Sequence, residues 1–417
     1  MTPPWSDLWR VFGRIGLVSF GGPAAQVALM HRELVEGRGW LDERGFAAAL
    51  SFCMMLPGPE AMQLATYCGW RLRGTAGGLL AGLLFVLPGA VVIFALAGLY
   101  ASRGDVPAVR AAFAGVQAAV IAIVVQATVR LARRALRSPQ AALVAVLALV
   151  ALSALRLPFP VVVAAAALWG LAAARGDGGP PPPAAPGAGR ESLRAALIWG
   201  TAWLAPLGLL ALAGPPLLAE IGAFFALLAV ATFGGAYAVL AWMAQEVVTG
   251  RGWLTPEQMI DALGLAETTP GPLILVTQFV GILAAQPGGW ALGLAAGLVT
   301  LHATFAPCFL WIFAGAPWLE AVTARPRLRG ALDAVTAAVV GVIASLALWF
   351  GAHVLFREVG TLAIGPLRLL APSGLDPAAA GLALGSGALL MWRRWPLPPV
   401  LAAAAAASLA LHLGGVG

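Results

Sequence analysis

The sequence predicts an all-α polytopic membrane protein, and three observations support this fold class. Of the 417 residues, 60% are hydrophobic and 10% are charged, whereas a soluble domain carries roughly 25% charged residues. Apolar stretches long enough to cross a bilayer core of about 30 Å recur along the whole chain. A gapless internal repeat relates its two halves. A soluble enzyme, a fibrous protein and a nucleic-acid-binding domain are therefore excluded.

The apolar stretches predict about 12–14 transmembrane segments. A Pro/Gly-rich stretch at 176–191 cannot form a spanning helix, so we expect an exposed linker there. It separates an N-terminal repeat (1–175) from a C-terminal repeat (192–417), which begins with a linking span at 193–213. The candidate spans lie near 8–30, 46–70, 75–101, 110–133, 138–156, 157–175, 193–213, 217–244, 257–285, 288–316, 329–351, 353–371, 375–393 and 396–415.

The internal repeat aligns residues 19–59 with residues 232–272 at a constant offset of 213, with 18 identities in 41 positions. The shared motifs are Phe-Gly-Gly, Gly-Arg-Gly-Trp-Leu and Pro-Gly-Pro, in the same order. Chance similarity between two apolar segments would match Leu and Ala instead. We interpret the pattern as an internal duplication.

The orientation of the two copies follows from the number of crossings between them. Seven predicted crossings separate the copies, which makes them an inverted repeat. If the Pro-Gly-Pro segments are re-entrant hairpins, each half loses one crossing and the copies become parallel, and the sequence leaves that alternative open. Arginine is more frequent in the loops of one side, which predicts a cytoplasmic N-terminus and an inner-membrane location.

Both copies interrupt apolar segments with helix-breaking residues, at Gly-Gly and at Pro-Gly-Pro. Irregular backbone at membrane depth is tolerated only where it is buried or lines a wet cavity. The helix N-termini that follow carry unpaired N–H groups and partial positive charge, which suit an oxyanion. We therefore predict a substrate site at the breaks. Its candidate residues are Arg14, Ser19, Phe20, Gly21, Gly22, Gln26, Pro57, Gly58, Pro59, Gln63, Thr232, Gly234, Gly235, Thr269, Pro270, Gly271, Pro272 and Gln278.

Four acidic residues are candidates for proton coupling or gating. Glu60 and Glu267 lie beside the Pro-Gly-Pro breaks, inside segments that otherwise span, and an intramembrane carboxyl group is costly and usually functional. The other two, Glu33 and Glu246, are equivalent by the repeat. Their alternative role is an interfacial Glu–Arg pairing that fixes a loop. Among the cations, Arg14 is the best candidate for direct anion contact.

The sequence predicts neither a cofactor nor a metal site. Its four His and three Cys residues are dispersed without metal-ligand spacing. It contains no nucleotide-binding loop and no nucleophile–base cluster, so we expect that the protein is not an enzyme.

The motifs resemble those of the chromate ion transporter (CHR) family, in its long two-domain type. The resemblance is carried by Phe20-Gly21-Gly22-Pro23, Trp40-Leu41 and Leu56-Pro57-Gly58-Pro59, and it extends through 63–70 and 85–88. It implies export of chromate, a divalent tetrahedral oxyanion, which gives chromate resistance, with sulfate as a related substrate. The second copy departs from the pattern because Ala236 replaces the Pro after Gly-Gly, so Glu60 and Glu267 are not assumed to be equivalent.

Energetics favour export of such an ion. A dianion that leaves an inside-negative cell gains about 4.6 kcal/mol per 100 mV. We predict a secondary transporter that exports chromate by alternating access, driven by membrane potential, with proton exchange left open. The alternative is proton-coupled uptake of sulfate or another oxyanion. The expected partners are the oxyanion and the lipid bilayer, without nucleic acid, and a homodimer is left open.

Overall fold

The computed structural model describes residues 2–20, 22–104, 106–174, 187–233, 236–323 and 325–415, and these residues are predominantly α-helical. In the first half the helices are α1 (Trp5–Val18), α2 (Gly22–His31), α3 (Glu43–Cys53), α4 (Glu60–Arg103), α5 (Pro107–Ala135), α6 (Pro139–Ser153) and α7 (Phe159–Ala173). In the second half they are α8 (Ala188–Ala213), α9 (Pro216–Ala231), α10 (Ala236–Gln245), α11 (Pro256–Thr268), α12 (Val276–Ala285), α13 (Trp290–Gly315), α14 (Leu319–Thr323), α15 (Pro326–Leu355), α16 (Pro377–Gly387) and α17 (Leu397–Leu413).

The apolar helices that could lie in a membrane fall into a long class and a short class. Among the described residues, five helical stretches are long and apolar enough to cross a membrane: Glu60–Arg103, Pro107–Ala135, Ala188–Ala213, Trp290–Trp318 and Pro326–Leu355. Six shorter apolar helical stretches accompany them. The all-α polytopic class predicted from the sequence is confirmed.

The helices break where the sequence places its helix-breaking motifs. α1 ends at Val18 and α2 begins at Gly22, while α3 ends at Cys53 and α4 begins at Glu60. In the second half, α9 ends at Ala231 before α10, and α11 ends at Thr268 before a 3₁₀ turn at Leu273–Leu275.

The long helix α4 folds back on itself at Arg73 and Gly74. Gly74 has φ 64° and ψ −160°, a backbone conformation that only glycine adopts readily. Further glycines let the two arms pack closely, since a Cβ on Gly69 would clash with the Gly77 carbonyl. The turn falls between the predicted spans 46–70 and 75–101.

The predicted span at 353–371 is wrong, because this segment forms a β-hairpin. Strand β1 (Phe356–Ile364) pairs antiparallel with β2 (Leu367–Leu375) across a two-residue loop in which Gly365 has φ 58°. The hairpin carries Arg357, Glu358 and Arg368, which a spanning helix would have to place in lipid. The mean hydropathy of the predicted span does not reveal these charges, because apolar residues outnumber them.

The predicted linker is also shorter than expected, because α8 begins at Ala188. Residues 188–191 are therefore helical. Residues 175–186 lie outside the described part of the chain.

The chain divides into two compact units, and each unit takes segments from both sequence halves. Unit 1 comprises residues 1–97, 175–239 and 269–329, and unit 2 comprises residues 98–174, 240–268 and 330–417. The sequence repeats 1–175 and 192–417 therefore do not coincide with the compact units.

In unit 1, α13 packs against α8, α9 and α12. Trp203 Nε1 donates to the Ala303 carbonyl at 3.1 Å, and His302 Nε2 lies 2.9 Å from the Trp203 carbonyl oxygen, which fixes α8 against α13. α12 approaches α13 closely because a Cβ on Gly281 would clash with Thr300 Oγ1.

In unit 2, α5 packs against α11, α16 and α17. Glycines again set the closest approaches, because small residues let helix backbones meet in a membrane. A Cβ on Gly115 would clash with the Ala404 carbonyl, and one on Gly341 would clash with the Ala145 carbonyl.

Candidate functional site

Four helix breaks pair across the two halves of the chain through two backbone hydrogen bonds in unit 1. The Gly58 N–H donates to the Thr232 carbonyl at 2.8 Å, and the Gly271 N–H donates to the Ser19 carbonyl at 2.9 Å. Gly58 and Gly271 are related by the offset of 213, as are Ser19 and Thr232. The two bonds are therefore the same contact made in both directions. We call this pair of contacts the break crossing.

One face of α13 brings the two contacts of the break crossing close together. Cys308 Sγ would lie 3.3 Å from a Cβ on Gly58, and Thr304 Oγ1 lies 3.5 Å from Thr277 Oγ1. Thr304 and Cys308 are four residues apart and share one face of the helix. α13 thus touches the first Pro-Gly-Pro break and the segment that follows the second.

Each Pro-Gly-Pro break has the backbone geometry that its sequence demands. Gly58 has φ 117° and Gly271 has φ 90°, in the region that favours glycine. The flanking prolines have no N–H groups, so each glycine N–H is the single backbone donor of its motif. In both motifs this donor is used for the bond across the break crossing.

Three buried glutamines surround the break crossing. Gln26 Nε2 donates to the Gly271 carbonyl at 2.7 Å, and Gln63 Nε2 donates to the Pro57 carbonyl at 2.6 Å. Gln278 Nε2 donates to the Ala90 carbonyl of α4 at 3.1 Å. Each of these side chains is at most 1% exposed. Two of the bonds therefore satisfy carbonyls that the Pro-Gly-Pro breaks leave without helical partners.

The same glutamines leave buried oxygen atoms without partners. Within the described part of the chain, Oε1 of Gln26, Gln63 and Gln278 and Oγ of Ser19 have no hydrogen-bond partner. Buried polar atoms are almost always satisfied, and leaving one unsatisfied costs about 1–3 kcal/mol. Such a concentration at one place indicates a site for a polar ligand.

The electrostatic character of the break crossing comes from backbone dipoles. α2 and α4 begin at Gly22 and Glu60, and the 3₁₀ turn into α12 begins at Leu273. The N-terminus of an α-helix carries roughly half a positive charge and offers free N–H donors. Among the described residues, the buried side chains of Asp, Glu, Arg or His type are both acidic, Asp261 and Glu267.

The predicted acidic residues beside the breaks differ in exposure. Glu60 is the first residue of α4 and is half-buried, whereas Glu267 is 7% exposed. Thr269, which follows it, is 5% exposed. Pro59, Pro270 and Pro272 are buried, and Pro57 is half-buried.

The structure places Arg14 outside the break crossing. Its side chain is 65% exposed, and Nη1 lies 3.4 Å from Glu33 Oε1. Glu33 also accepts a hydrogen bond from Arg38, whose guanidinium lies over the Trp40 ring. The interfacial Glu–Arg pairing considered for Glu33 is therefore present.

The second copy repeats part of this local geometry. Trp40 N donates to the Leu34 carbonyl and Trp253 N donates to the Val247 carbonyl, both at 2.8 Å. Arg251 lies over the Trp253 ring as Arg38 lies over Trp40. Glu246, the counterpart of Glu33, is the first residue of a π-helical turn and is half-buried.

Of four further predicted residues, one is exposed and three are not described by the structure. Phe20 is 39% exposed, so its ring is not enclosed at the break crossing. Gly21, Gly234 and Gly235 lie outside the described residues. The described residues contain no group of His, Cys, Asp and Glu side chains that could hold a metal ion.

Beside Glu33, His31 is held between two carboxylates near the end of α2. Its Nε2 lies 2.8 Å from Glu43 Oε2, and its Nδ1 lies 3.2 Å from Glu36 Oε1. These carboxylates favour the protonated ring and raise the pKa of His31 above its usual value of 6.5, chiefly through the hydrogen bond to Glu43.

Two features of unit 2 were missed from the sequence. Asp261 is a buried acid in an apolar segment, which is the same sequence signal that marks Glu267. A cavity of about 840 Å³ also lies in unit 2, lined mainly by apolar side chains together with Arg156, Gln245 and His353. These three residues are distant in the sequence, so no local motif marks the cavity.

Comparison with known proteins identifies the family. The sequence profile of the chromate transporter family matches residues 6–171 and 219–409. The chromate transport protein of Pseudomonas aeruginosa is 36% identical over 375 residues, which cover 88% of this chain and 86% of that protein. That of Cupriavidus metallidurans is 32% identical over 337 residues, covering 81% of this chain and 80% of that protein.

A third relative, the probable chromate transport protein of Synechococcus elongatus, is 30% identical over 390 residues, covering 87% of this chain and 88% of that protein. No solved structure matches the chain. Both the family and the apolar helices indicate a multi-pass membrane protein and a transporter rather than an enzyme. The resemblance inferred from the motifs is confirmed: the chain belongs to the chromate transporter family.

Proposed function

We propose that this protein exports chromate from the cytoplasm by alternating access, driven by the membrane potential and coupled to proton exchange. Its N-terminus lies in the cytoplasm, and its two repeats are inverted in the inner membrane. Membership of the chromate transporter family and relatives that are named chromate transport proteins support the substrate.

The observation that carries the proposal is the break crossing. Its two reciprocal bonds, from Gly58 to Thr232 and from Gly271 to Ser19, join equivalent points of the two copies. Transporters with inverted repeats bind substrate where discontinuous helices of the two repeats meet. Helix N-termini there offer N–H donors for a tetrahedral oxyanion, and the Ser19 hydroxyl, which is buried without a hydrogen-bond partner, can donate to it as well.

Export is the direction that the electric field favours. A divalent anion that leaves an inside-negative cell gains about 4.6 kcal/mol per 100 mV. Uptake would have to overcome the same free energy with at least two coupled cations. The membrane potential therefore favours export of the divalent anion over its uptake.

The test is uptake of labelled chromate into inside-out vesicles at clamped and collapsed membrane potential. We expect accumulation that depends on a lumen-positive potential and that excess sulfate inhibits. Vesicles without the protein supply the background. Failure of chromate to accumulate, together with proton-driven sulfate entry into right-side-out vesicles, would replace the proposal by oxyanion uptake.

A further inference from the structure

Asp261 is a buried carboxyl group in unit 2 that the break crossing does not use. It lies in α11 and is 6% exposed. Tyr100 Oη, from the end of α4, donates to Oδ2 at 2.7 Å, and Gln117 Nε2, from α5, donates to Oδ1 at 2.7 Å. Three helices thus contribute one side chain each to a small polar cluster.

Both partners of Asp261 can reverse their hydrogen-bonding role. A tyrosine hydroxyl donates or accepts, and a glutamine amide offers a donor nitrogen and an acceptor oxygen. The ionised carboxylate accepts two bonds, and the protonated acid can donate its own O–H to Tyr100 Oη or to Gln117 Oε1. The cluster can therefore satisfy Asp261 in both protonation states.

The predicted coupling residue Glu33 lies in the opposite situation. It is paired with Arg14 and Arg38, and guanidinium groups only donate. Protonation of Glu33 would remove an acceptor from two permanent cations. Glu33 is therefore tied to two fixed cations, whereas the hydrogen-bond partners of Asp261 are neutral.

The charged groups on the helices around Asp261 determine whether its carboxylate has a fixed counter-ion. Glu257 lies one turn earlier on α11, Arg103 ends α4, and Arg110 and His412 lie on α5 and α17. Within the described part of the chain, the side chains of Tyr100 and Gln117 hold Asp261 by hydrogen bonds, and the charged side chain that acts on it is that of Glu257. The carboxylate is thus balanced by neutral donors and not by a fixed cation.

We infer that Asp261 is the group that carries the exchanged proton, and this inference rests on the proposed function. A proton from solution adds to the carboxylate to give the neutral acid, and its release to the other side regenerates the carboxylate. α11 continues directly into the second Pro-Gly-Pro break, so a change at Asp261 acts on a helix that leads into it. The equivalent position in the first copy is Ala48, so the repeat does not supply a second carboxyl group there.

The test compares chromate and proton movement in inside-out vesicles with a pH dye in the lumen. In the wild type we expect chromate entry to alkalinise the lumen. Asp261→Asn should lower this proton movement at least about tenfold and keep chromate–chromate exchange within about twofold of the wild type. Glu257→Gln is the matched control on the same helix and should leave both unchanged.

A milder variant keeps the inference testable if Asp261→Asn fails to fold. Tyr100→Phe removes one donor to the ionised carboxylate, so protonation becomes easier. The pH of half-maximal proton movement should rise by about one unit. A wild type that transports chromate without moving protons would overturn both the inference and the proposed proton coupling, while export driven by the membrane potential stands. An Asp261→Asn variant that still moves protons would overturn the inference alone. A wild type that transports no chromate would overturn both.

Discussion

At the scale of single residues, Gly271 combines three requirements that no other residue type meets together. Its φ is 90°, and its N–H donates to the Ser19 carbonyl. A Cβ at this position would lie 2.9 Å from Leu275 Cδ1. The backbone conformation, the contact with the other copy and the packing all depend on the absent side chain.

We expect Gly271→Ala to strain this backbone by roughly 1–3 kcal/mol. Strain that falls on the transport-competent state should lower chromate uptake at least about fivefold, measured in vesicles and normalised to inserted protein. Gly200→Ala is the control, because a Cβ there meets nothing within 4 Å. Equal uptake by both variants would contradict a role for the break crossing.

Residue types with unusual backbone demands could be predicted from the sequence, whereas side-chain partners could not. The Pro-Gly-Pro breaks follow from local chemistry, since proline lacks an N–H and glycine tolerates positive φ. Arg14 was expected at the substrate site, but its partner Glu33 lies nineteen residues away in the chain and draws it elsewhere. Tyr100, Gln117 and Asp261 come together only through tertiary packing.

At the scale of elements, the hairpin β1–β2 replaces a predicted spanning segment. A spanning helix and a hairpin of the same composition differ in where the charged side chains lie. Strands β1 and β2 expose most of their residues, including Leu362, which is 53% exposed. The hairpin is therefore expected to lie outside the hydrocarbon core.

Thiol labelling distinguishes the two arrangements. Leu362→Cys should react with a membrane-impermeant maleimide from one side of the membrane, because the hairpin is in contact with water. The native thiols give little background, since Cys53, Cys68 and Cys308 are all buried. Val339→Cys, at a fully buried position of α15, is the control that should stay unlabelled. An unreactive Leu362→Cys would indicate instead that the segment lies within the bilayer.

Hydropathy predicts well which segments are helical, but it does not predict the residues at which each helix begins and ends. Apolar composition places α5, α13 and α15 close to their predicted ranges, because each is long enough to dominate an averaging window. α8 begins before its predicted start, since Ala188 to Glu191 continue a helix that a Pro/Gly-rich neighbourhood obscures. Hydropathy averaged over a sequence window does not show the single residues at which a helix begins or ends.

At the scale of the whole molecule, neither compact unit is encoded by one half of the sequence. Unit 1 combines residues 1–97 with residues 175–239 and 269–329. Each half of the chain therefore lacks the segments that complete the core of either unit. The sequence repeat could reveal the duplication, but only long-range contacts determine how segments are shared.

This sharing predicts how a divided chain behaves. Residues 1–180 and 181–417, expressed as two polypeptides, should copurify and transport chromate when present together. Either polypeptide alone should be inactive and be degraded, because it cannot complete a unit. Copurification through a tag on one polypeptide and vesicle uptake are the measurements, and uptake by one polypeptide alone would refute the expectation.

The reciprocity of the break crossing has a consequence for the energy of the transport cycle. Under the proposed alternating access, a conformation that opens the Gly58–Thr232 contact and keeps the Gly271–Ser19 contact would have a counterpart in which these roles are exchanged. In a perfectly duplicated chain the two conformations would be degenerate, with equal populations on the two sides of the membrane. The copies differ at more than half of the aligned positions, for example Pro23 against Ala236 and Gln26 against Val239, and such differences would make the two conformations unequal in energy. Under the proposed alternating access, these unmatched residues would set the ratio of the two conformations at rest, and substitutions that make the copies alike would move that ratio toward one.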